Sequence, residues 1–246
     1  MGVLRAGILS AGDPPIAPRG SLSMSRIPLG SRLGAEAVGT CLLLATVVGS
    51  GIMAERLAGG NGAVALLANA LATGAMLFVL VTALGPISGA HLNPAVSVVF
   101  AMRGELPRSE LAFYVTTQVT AAVAGVVLAH LMFELPVVQA SARIRTGPAL
   151  WLSEAVATFG LVLTILATLR ARPEAVAASV ALFIVAAYWF TASTSFANPA
   201  VTLGRAFTDT FAGIRPQDVA AFAAAQLCGA LAALAVARRL DPPARP

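Results

Sequence analysis

The sequence predicts an all-α membrane protein with six transmembrane helices and two re-entrant half-helices, arranged as an inverted repeat. Of its 246 residues, 58% are hydrophobic and 11% are charged, whereas soluble domains carry about 25% charged residues. The apolar residues form six blocks of about 20 residues, the length that crosses a bilayer core. The tripeptide Asn-Pro-Ala occurs twice, at 93–95 and 198–200, each time before an apolar stretch too short to span.

The N-terminal residues 1–31 are rich in Gly, Pro, Ser and Arg and predict a disordered tail without a signal peptide. A membrane domain follows over residues 32–239, and residues 240–246 form a C-terminal tail. The predicted spans are 33–54, 63–84, 110–133, 149–169, 175–194 and 217–238. The half-helices are predicted to run to about Met102 and about Asp209.

Each Asn-Pro-Ala predicts the start of a helix. Asn is a favoured N-cap, and Pro suits the first helical position because its missing N–H would have no partner there. The first copy is Asn93, Pro94 and Ala95, and the second copy is Asn198, Pro199 and Ala200.

The two halves, about 32–133 and 148–239, carry Glu, Asn-Pro-Ala and Gln in the same order. Each half contains three spans, so the halves have opposite orientations, and a site is expected near the midplane where they meet. The paired polar residues are Glu36 with Gln118 and Glu154 with Gln226.

These four polar residues are predicted to brace the non-helical loops before each Asn-Pro-Ala. Loop backbone at membrane depth needs hydrogen-bond partners, and Glu36 and Glu154 are the carboxylates available to accept from it. A proton or ion relay is the alternative hypothesis, because an ionisable residue in a span suggests function.

All 16 basic residues are Arg. With the N-terminus inside, eleven of them lie on cytoplasmic segments and five on outer segments. The excess predicts that both termini are cytoplasmic, in the inner (plasma) membrane.

Several function classes lack sequence support. There is no metal-ligand cluster, nucleophile–base pair or phosphate loop, so we expect neither an enzyme nor a cofactor or metal. The arginines are scattered rather than clustered, which argues against nucleic-acid binding.

The segment Ser88-Gly-Ala-His-Leu-Asn-Pro-Ala-Val96, the second Asn-Pro-Ala and the doubled Glu/Gln pattern resemble the major intrinsic protein family, the aquaporins and aquaglyceroporins. The resemblance covers residues 33–238. It implies a passive channel for small neutral solutes and water, embedded in membrane lipid and assembled as a homotetramer.

The physical chemistry of the doubled motif agrees with a pore. Two opposed helix N-termini place positive partial charge at its centre, and the amides of Asn93 and Asn198 offer donors to a solute oxygen. A neutral solute can exchange hydrogen bonds there, whereas a cation is excluded.

The family sets selectivity at an outer constriction of four positions, which carry over by spacing from the motifs. They are Thr73, Ala186 (or Ala187 if a gap shifts the fifth span), Ser195 and Val201. Val201 stands where the family usually has Arg, as in a bacterial subgroup of which some members are linked with arsenic. The resemblance therefore implies a wide filter for glycerol-like polyols and protonated metalloid acids such as arsenous acid.

Two further residues carry open alternatives, and a third carries a single expectation. Arg205 either points into the outer vestibule or contacts the helix C-terminus or Asp209, four residues on. His91 lines the pore through its carbonyl or acts as a protonation-dependent gate. His130 is expected at the membrane interface.

Other functional hypotheses are a water-selective aquaporin, a secondary transporter and a structural membrane protein with an occluded pore. A transporter would need titratable groups facing the pathway, and only Glu36 and Glu154 qualify.

Overall fold

The computed structural model describes residues 27–240, and this part of the chain contains eight α-helices and no strand. The helices are α1 Leu29–Leu57, α2 Gly62–Ser88, α3 Pro94–Arg103, α4 Arg108–Met132, α5 Pro148–Ala171, α6 Val176–Phe190, α7 Pro199–Gly204 and α8 Val219–Leu240. A 3₁₀ turn precedes α6 at Pro173–Ala175, another follows α7 at Arg205–Phe207, and a third precedes α8 at Pro216–Asp218.

Six of these elements are long and apolar enough to cross a membrane, as the sequence predicts. The other two, α3 and α7, have ten and six residues. At about 1.5 Å of rise per residue they are too short to span a bilayer. Six spans and two half-helices are therefore confirmed.

Some predicted boundaries are wrong. Helix α1 begins at Leu29, inside the predicted tail 1–31, and α6 ends at Phe190 rather than 194. The second half-helix is shorter than predicted, because the α-helix ends at Gly204 and a tighter turn follows. The remainder of the predicted tails, 1–26 and 241–246, lies outside the described residues.

The helix contacts repeat between the two halves. Helix α1 packs against α2 and α4, and α5 packs in the same way against α6 and α8. Helices α2 and α6 join the halves, and both α3 and α7 contact α4 and α8. The half-helices thus meet at the centre of the bundle, between the third spans of the two repeats.

Small residues allow the first and third spans of each half to approach closely. A Cβ at Gly125 would overlap the carbonyl oxygen of Cys41, and one at Gly229 would overlap that of Ala155. Both glycines therefore serve helix packing within one chain, since only a hydrogen fits between the backbones.

Candidate functional site

The two loops that lead into the half-helices share an unusual backbone. Three residues in each loop have positive φ, and each lies 105 positions from its counterpart. The pairs are Gly89 with Thr194, Ala90 with Ser195 and Leu92 with Ala197. For a non-glycine residue this conformation costs about 1–2 kcal/mol. Other contacts must therefore hold the loops in place.

Glu36 supplies those contacts in the first half. Its Oε1 accepts from the Ser88 hydroxyl at 2.7 Å and the His91 N–H at 2.9 Å. Its Oε2 accepts from the Leu92 N–H and the Gln118 amide, both at 2.7 Å. The carboxylate is fully buried, and each of its oxygens accepts two hydrogen bonds.

Glu154 makes the corresponding contacts in the second half. It accepts from the N–H groups of Phe196 at 2.9 Å and Ala197 at 2.8 Å, and from the Gln226 amide at 2.6 Å. Gln226 also donates to the Thr202 hydroxyl, as Gln118 does to Ser97. A proton or ion relay would need a titratable group at the wall of the cavity between the two halves, which is described below. Among the described residues, neither Glu36 nor Glu154 lines that cavity.

The two asparagines tie the halves together. Each Oδ1 caps its own half-helix, that of Asn93 accepting from the Ala95 N–H and that of Asn198 from the Ala200 N–H, both at 2.9 Å. Each Nδ2 donates across the repeat. Asn93 donates to the Ala197 carbonyl at 2.8 Å, and Asn198 donates to the Leu92 carbonyl at 2.7 Å. Since an amide carries two N–H groups, each asparagine keeps one for another acceptor.

A cavity of about 760 Å³ runs beside both asparagines. Its lining includes Pro173 and Glu174, which precede α6, and Arg205, which follows α7. Loop residues form one wall, and apolar side chains of the long helices such as Leu43 and Ile184 form the rest. The path thus offers a line of polar groups beside a hydrocarbon surface.

Three of the four predicted filter residues, Thr73, Ser195 and Val201, line this cavity. The buried Ser195 hydroxyl has no hydrogen-bond partner among the described residues, so it is available to a solute. The Thr73 hydroxyl lies 3.3 Å from the hydroxyl of Tyr188.

Neither candidate for the fourth filter position is found at the cavity wall. Ala186 is exposed on the outside of α6, Ala187 is fully buried, and neither lines the cavity. Ile184 and Tyr188 line it instead. Residues four apart share a helix face, and a residue two positions away points in nearly the opposite direction. Sequence reasoning missed Tyr188 because it carried over a fixed spacing instead of following the face of α6.

Arg205 lies at the cavity wall. Its side chain is 2% exposed, its guanidinium stacks 3.3 Å from the centre of the Phe196 ring, and its Nε donates to the Ala212 carbonyl. Within residues 27–240 the alternative contact between Arg205 and Asp209 is not formed, and the Asp209 Oδ1 accepts instead from the Ala142 N–H at 2.9 Å.

A second arginine, missed by sequence reasoning, approaches the same ring from the connection between α4 and α5. Arg145 lies 5.0 Å from the Phe196 centre and donates to the carbonyls of Gly213 at 2.8 Å and Ser193 at 3.3 Å. Burial lowers the pKa of Arg145 to about 10, so it stays charged at neutral pH. Arg145 lies in an irregular connection, where no helical or strand periodicity in the sequence could have indicated that it approaches the Phe196 ring.

The two histidines occupy different environments. His91 lines the cavity with its ring 4.6 Å from Phe100, and its Nδ1 lies 3.1 Å from the Ser97 hydroxyl. His130 is fully buried, with Nε2 2.8 Å from the Thr208 hydroxyl and Nδ1 3.0 Å from the Val137 carbonyl. His130 thus links the connection between α4 and α5 to the segment that follows α7, and its location at the membrane interface stays a prediction.

Within residues 27–240 no group of three His, Cys, Asp or Glu side chains is placed to hold a metal ion.

Comparisons with known proteins agree with this geometry. The family model described as "Major intrinsic protein" matches residues 23–187. The chain is 61% identical to "Aquaglyceroporin AqpS" of Rhizobium meliloti (strain 1021), over 91% of this chain and 95% of that protein. It is 34% identical to "Aquaporin NIP6-1" of Arabidopsis thaliana over 76% of this chain and 62% of that one. The solved aquaglyceroporin from Plasmodium falciparum has the same fold, with a TM-score of 0.67 at 20% identity, covering 87% of this chain and 97% of that one.

Proposed function

Because the chain belongs to the major intrinsic protein family and is a multi-pass membrane channel for small neutral solutes, we propose that it conducts solutes larger than water. The proposed solutes are glycerol-like polyols and protonated metalloid acids such as arsenous acid, together with water. The observation that carries this proposal is Val201, which lines the cavity three positions after Asn198, where the family usually has Arg.

The surroundings of Val201 support passage of a hydroxyl-bearing solute. Thr73, Ser195 and Tyr188 bring hydroxyl groups to the cavity, and the Tyr188 ring and the Val201 methyl groups offer apolar surface. A polyol has hydroxyls along one side and carbon along the other, so it can use both kinds of wall. The 61% identical relative is itself described as an aquaglyceroporin.

Asn93 and Asn198 are proposed as the central donors. Each has an Nδ2 with a second N–H beyond the one that holds the opposite loop. The positive ends of α3 and α7 face the same region and disfavour cations. A neutral solute gains a donor there and meets no charge penalty.

Assembly and orientation are also proposals. The family's tetramer is proposed for this chain, with one pore per subunit. The arginine distribution supports cytoplasmic termini in the inner membrane.

The direct test is stopped-flow light scattering of liposomes containing the purified protein, under water, glycerol and arsenous acid gradients. We expect all three to permeate faster than in empty liposomes. Fast water flux without solute flux would contradict the wide-pore proposal and favour a water-selective channel.

A substitution at Val201 tests the placement of the filter. Val201→Arg should cut glycerol and arsenous acid flux about tenfold or more, because it places a large guanidinium in the cavity. Val138→Arg is the matched control, since Val138 is 73% exposed in an outer connection. Unchanged glycerol flux in Val201→Arg would show that the filter is placed wrongly.

A further inference from the structure

We propose that Arg205 is the selectivity arginine of this pore, moved one turn outward from the position that Val201 occupies. This inference rests on the proposed channel function and names the residue that discriminates among solutes. Val201 and Arg205 are four residues apart and both line the cavity. The guanidinium would donate to the oxygens of a neutral hydroxyl-bearing solute and repel cations at the outer end.

Two contacts fix Arg205 and leave its donors free. One face of the guanidinium stacks on Phe196, and Nε donates to the Ala212 carbonyl. Phe196 is itself held, because its N–H donates to Glu154 at 2.9 Å and its ring packs edge-on against Phe222 at 5.3 Å. The two Nη atoms are therefore held at the cavity wall in a fixed geometry, as a selectivity group requires.

The Nη atoms have no partner within the part of the chain that the structure describes. No residue among 27–240 accepts a hydrogen bond from them, and none forms an ion pair with Arg205. Buried guanidinium groups are ordinarily paired. The Arg205 side chain is 2% exposed and lines the cavity. Its unused Nη donors are therefore available to a solute in that cavity.

The nearby carboxylates are engaged elsewhere. Glu154 holds the second loop, Asp209 accepts from Ala142, and Asp218 accepts from the Arg215 side chain at 2.8 Å and from the Arg145 N–H at 2.9 Å. The positive charges of Arg205 and Arg145, on either side of Phe196, are thus left without a paired anion among the described residues.

The internal repeat supports the assignment independently. The residue 105 positions before Arg205 is Phe100, and the one 105 before Phe196 is His91. Phe100 packs on His91 at 4.6 Å and lines the cavity, just as Arg205 packs on Phe196. The fold therefore directs this helical position at the pore in both halves. The first half places an aromatic ring, Phe100, at this position, and the second half places a cation, Arg205.

The charge at the outer end has a measurable consequence. A univalent cation about 5 Å from an unpaired guanidinium, at an effective dielectric constant of about 20, meets a repulsion that lowers its occupancy on the order of a hundredfold. A neutral polyol can instead accept hydrogen bonds from the fixed N–H groups of the guanidinium. Arg205 is thus expected to act on both solute binding and cation exclusion.

The experiment compares wild-type protein with Arg205→Gln and Arg205→Lys in liposomes, measuring glycerol flux and proton leak under a potassium diffusion potential. Arg205→Gln should raise the cation leak about tenfold and alter the ratio of glycerol to water flux at least threefold. Arg205→Lys should retain cation exclusion, because it keeps the positive charge. It should change the ratio of glycerol to water flux, because it loses the planar pair of Nη donors. Arg143→Gln, which removes an exposed arginine paired with Glu55, should behave as wild type.

Equal leak and equal glycerol-to-water ratio in wild type, Arg205→Gln and Arg205→Lys would overturn the inference while leaving the channel proposal intact. Absence of glycerol flux in the wild type would instead overturn the channel proposal. If Arg205→Gln does not fold, the Lys variant and the exchange Val201→Arg with Arg205→Val decide the matter. The exchange should exclude cations as wild type does, and a leak from it would contradict the inference.

Discussion

At the scale of single residues, the direction of a side chain on α6 decides what it can do. Tyr188 lines the cavity with its hydroxyl 3.3 Å from Thr73, while Ala186, two positions earlier, is exposed outside the bundle. Both residues lie in an apolar helix whose composition marks no inner face. Only the packing of α6 against α2 shows which positions line the cavity.

Tyr188→Phe should lower glycerol flux about two- to fivefold and change water flux less, because it removes a hydroxyl from the cavity and keeps the ring. Stopped-flow measurements on liposomes would detect this. Ala186→Val is the matched control and should leave both fluxes unchanged. A strong effect of the control without an effect of Tyr188→Phe would restore Ala186 as the filter position.

The two buried carboxylates are proposed as braces for the strained loops. Glu36→Gln keeps the shape of the side chain but replaces one carboxylate oxygen with an amide N–H₂. That N–H₂ would then face N–H donors of the loop or of Gln118, with no acceptor between them. We expect a loss of about 2–4 kcal/mol in stability, since charge-assisted hydrogen bonds are lost and a buried donor is left unpaired. Thermal unfolding in detergent measures the change.

Glu55→Gln provides the control for that measurement. It breaks an ion pair with Arg143 that is about half exposed, and such pairs contribute about 0–1 kcal/mol. An unchanged melting temperature in Glu36→Gln, with a shifted pH dependence of transport, would favour the relay hypothesis over the brace.

At the scale of elements, each half-helix depends on the opposite repeat. Asn93 and Asn198 cap their own helices and donate to the loop that precedes the other one. The loops consequently hold six positions of positive φ, five of them in residues other than glycine. Local propensity disfavours that backbone, and long-range hydrogen bonds stabilise it.

The close contact between α1 and α4 gives a stability prediction. Gly125→Ala should destabilise the protein by at least about 2 kcal/mol, because the new Cβ would overlap the Cys41 carbonyl and the helices would have to separate. Gly34→Ala lies on α1 with open space around its Cβ, and should be neutral or stabilising by up to about 1 kcal/mol. Equal melting temperatures for the two variants would contradict the packing argument.

At the scale of the whole molecule, two halves of opposite orientation form one cavity whose ends differ. The halves share their helix contacts, loop backbone and braces, yet Phe100 stands in one where Arg205 stands in the other. Symmetry accounts for the framework of the pore, and we propose that the departures from it set its selectivity.

The orientation of that framework can be tested by labelling. In a background with both native cysteines replaced by Ala, we place Thr146→Cys in the predicted outer connection and Ala171→Cys near the predicted inner one. Both positions are exposed. A membrane-impermeant maleimide should label the first and spare the second in intact spheroplasts. The reverse pattern would place the termini outside.

The sequence by itself determined the six spans, the two half-helices and the paired Glu, Asn-Pro-Ala and Gln landmarks. These follow from local quantities, namely the length of an apolar run, the capping chemistry of Asn and Pro, and recurrence along the chain.

Only the tertiary structure decided which side of α6 faces the cavity, where the second half-helix ends and where the Arg205 guanidinium lies. In a chain this apolar, hydrophobicity does not distinguish the lipid-facing side of a helix from the side that packs inside the protein, because both sides carry apolar side chains. The backbone at Phe196 and Ala197 is held by hydrogen bonds across the fold, since both N–H groups donate to Glu154 and the Ala197 carbonyl accepts from the Asn93 amide. The position of Arg205 follows from that backbone, because Phe196 lies within it.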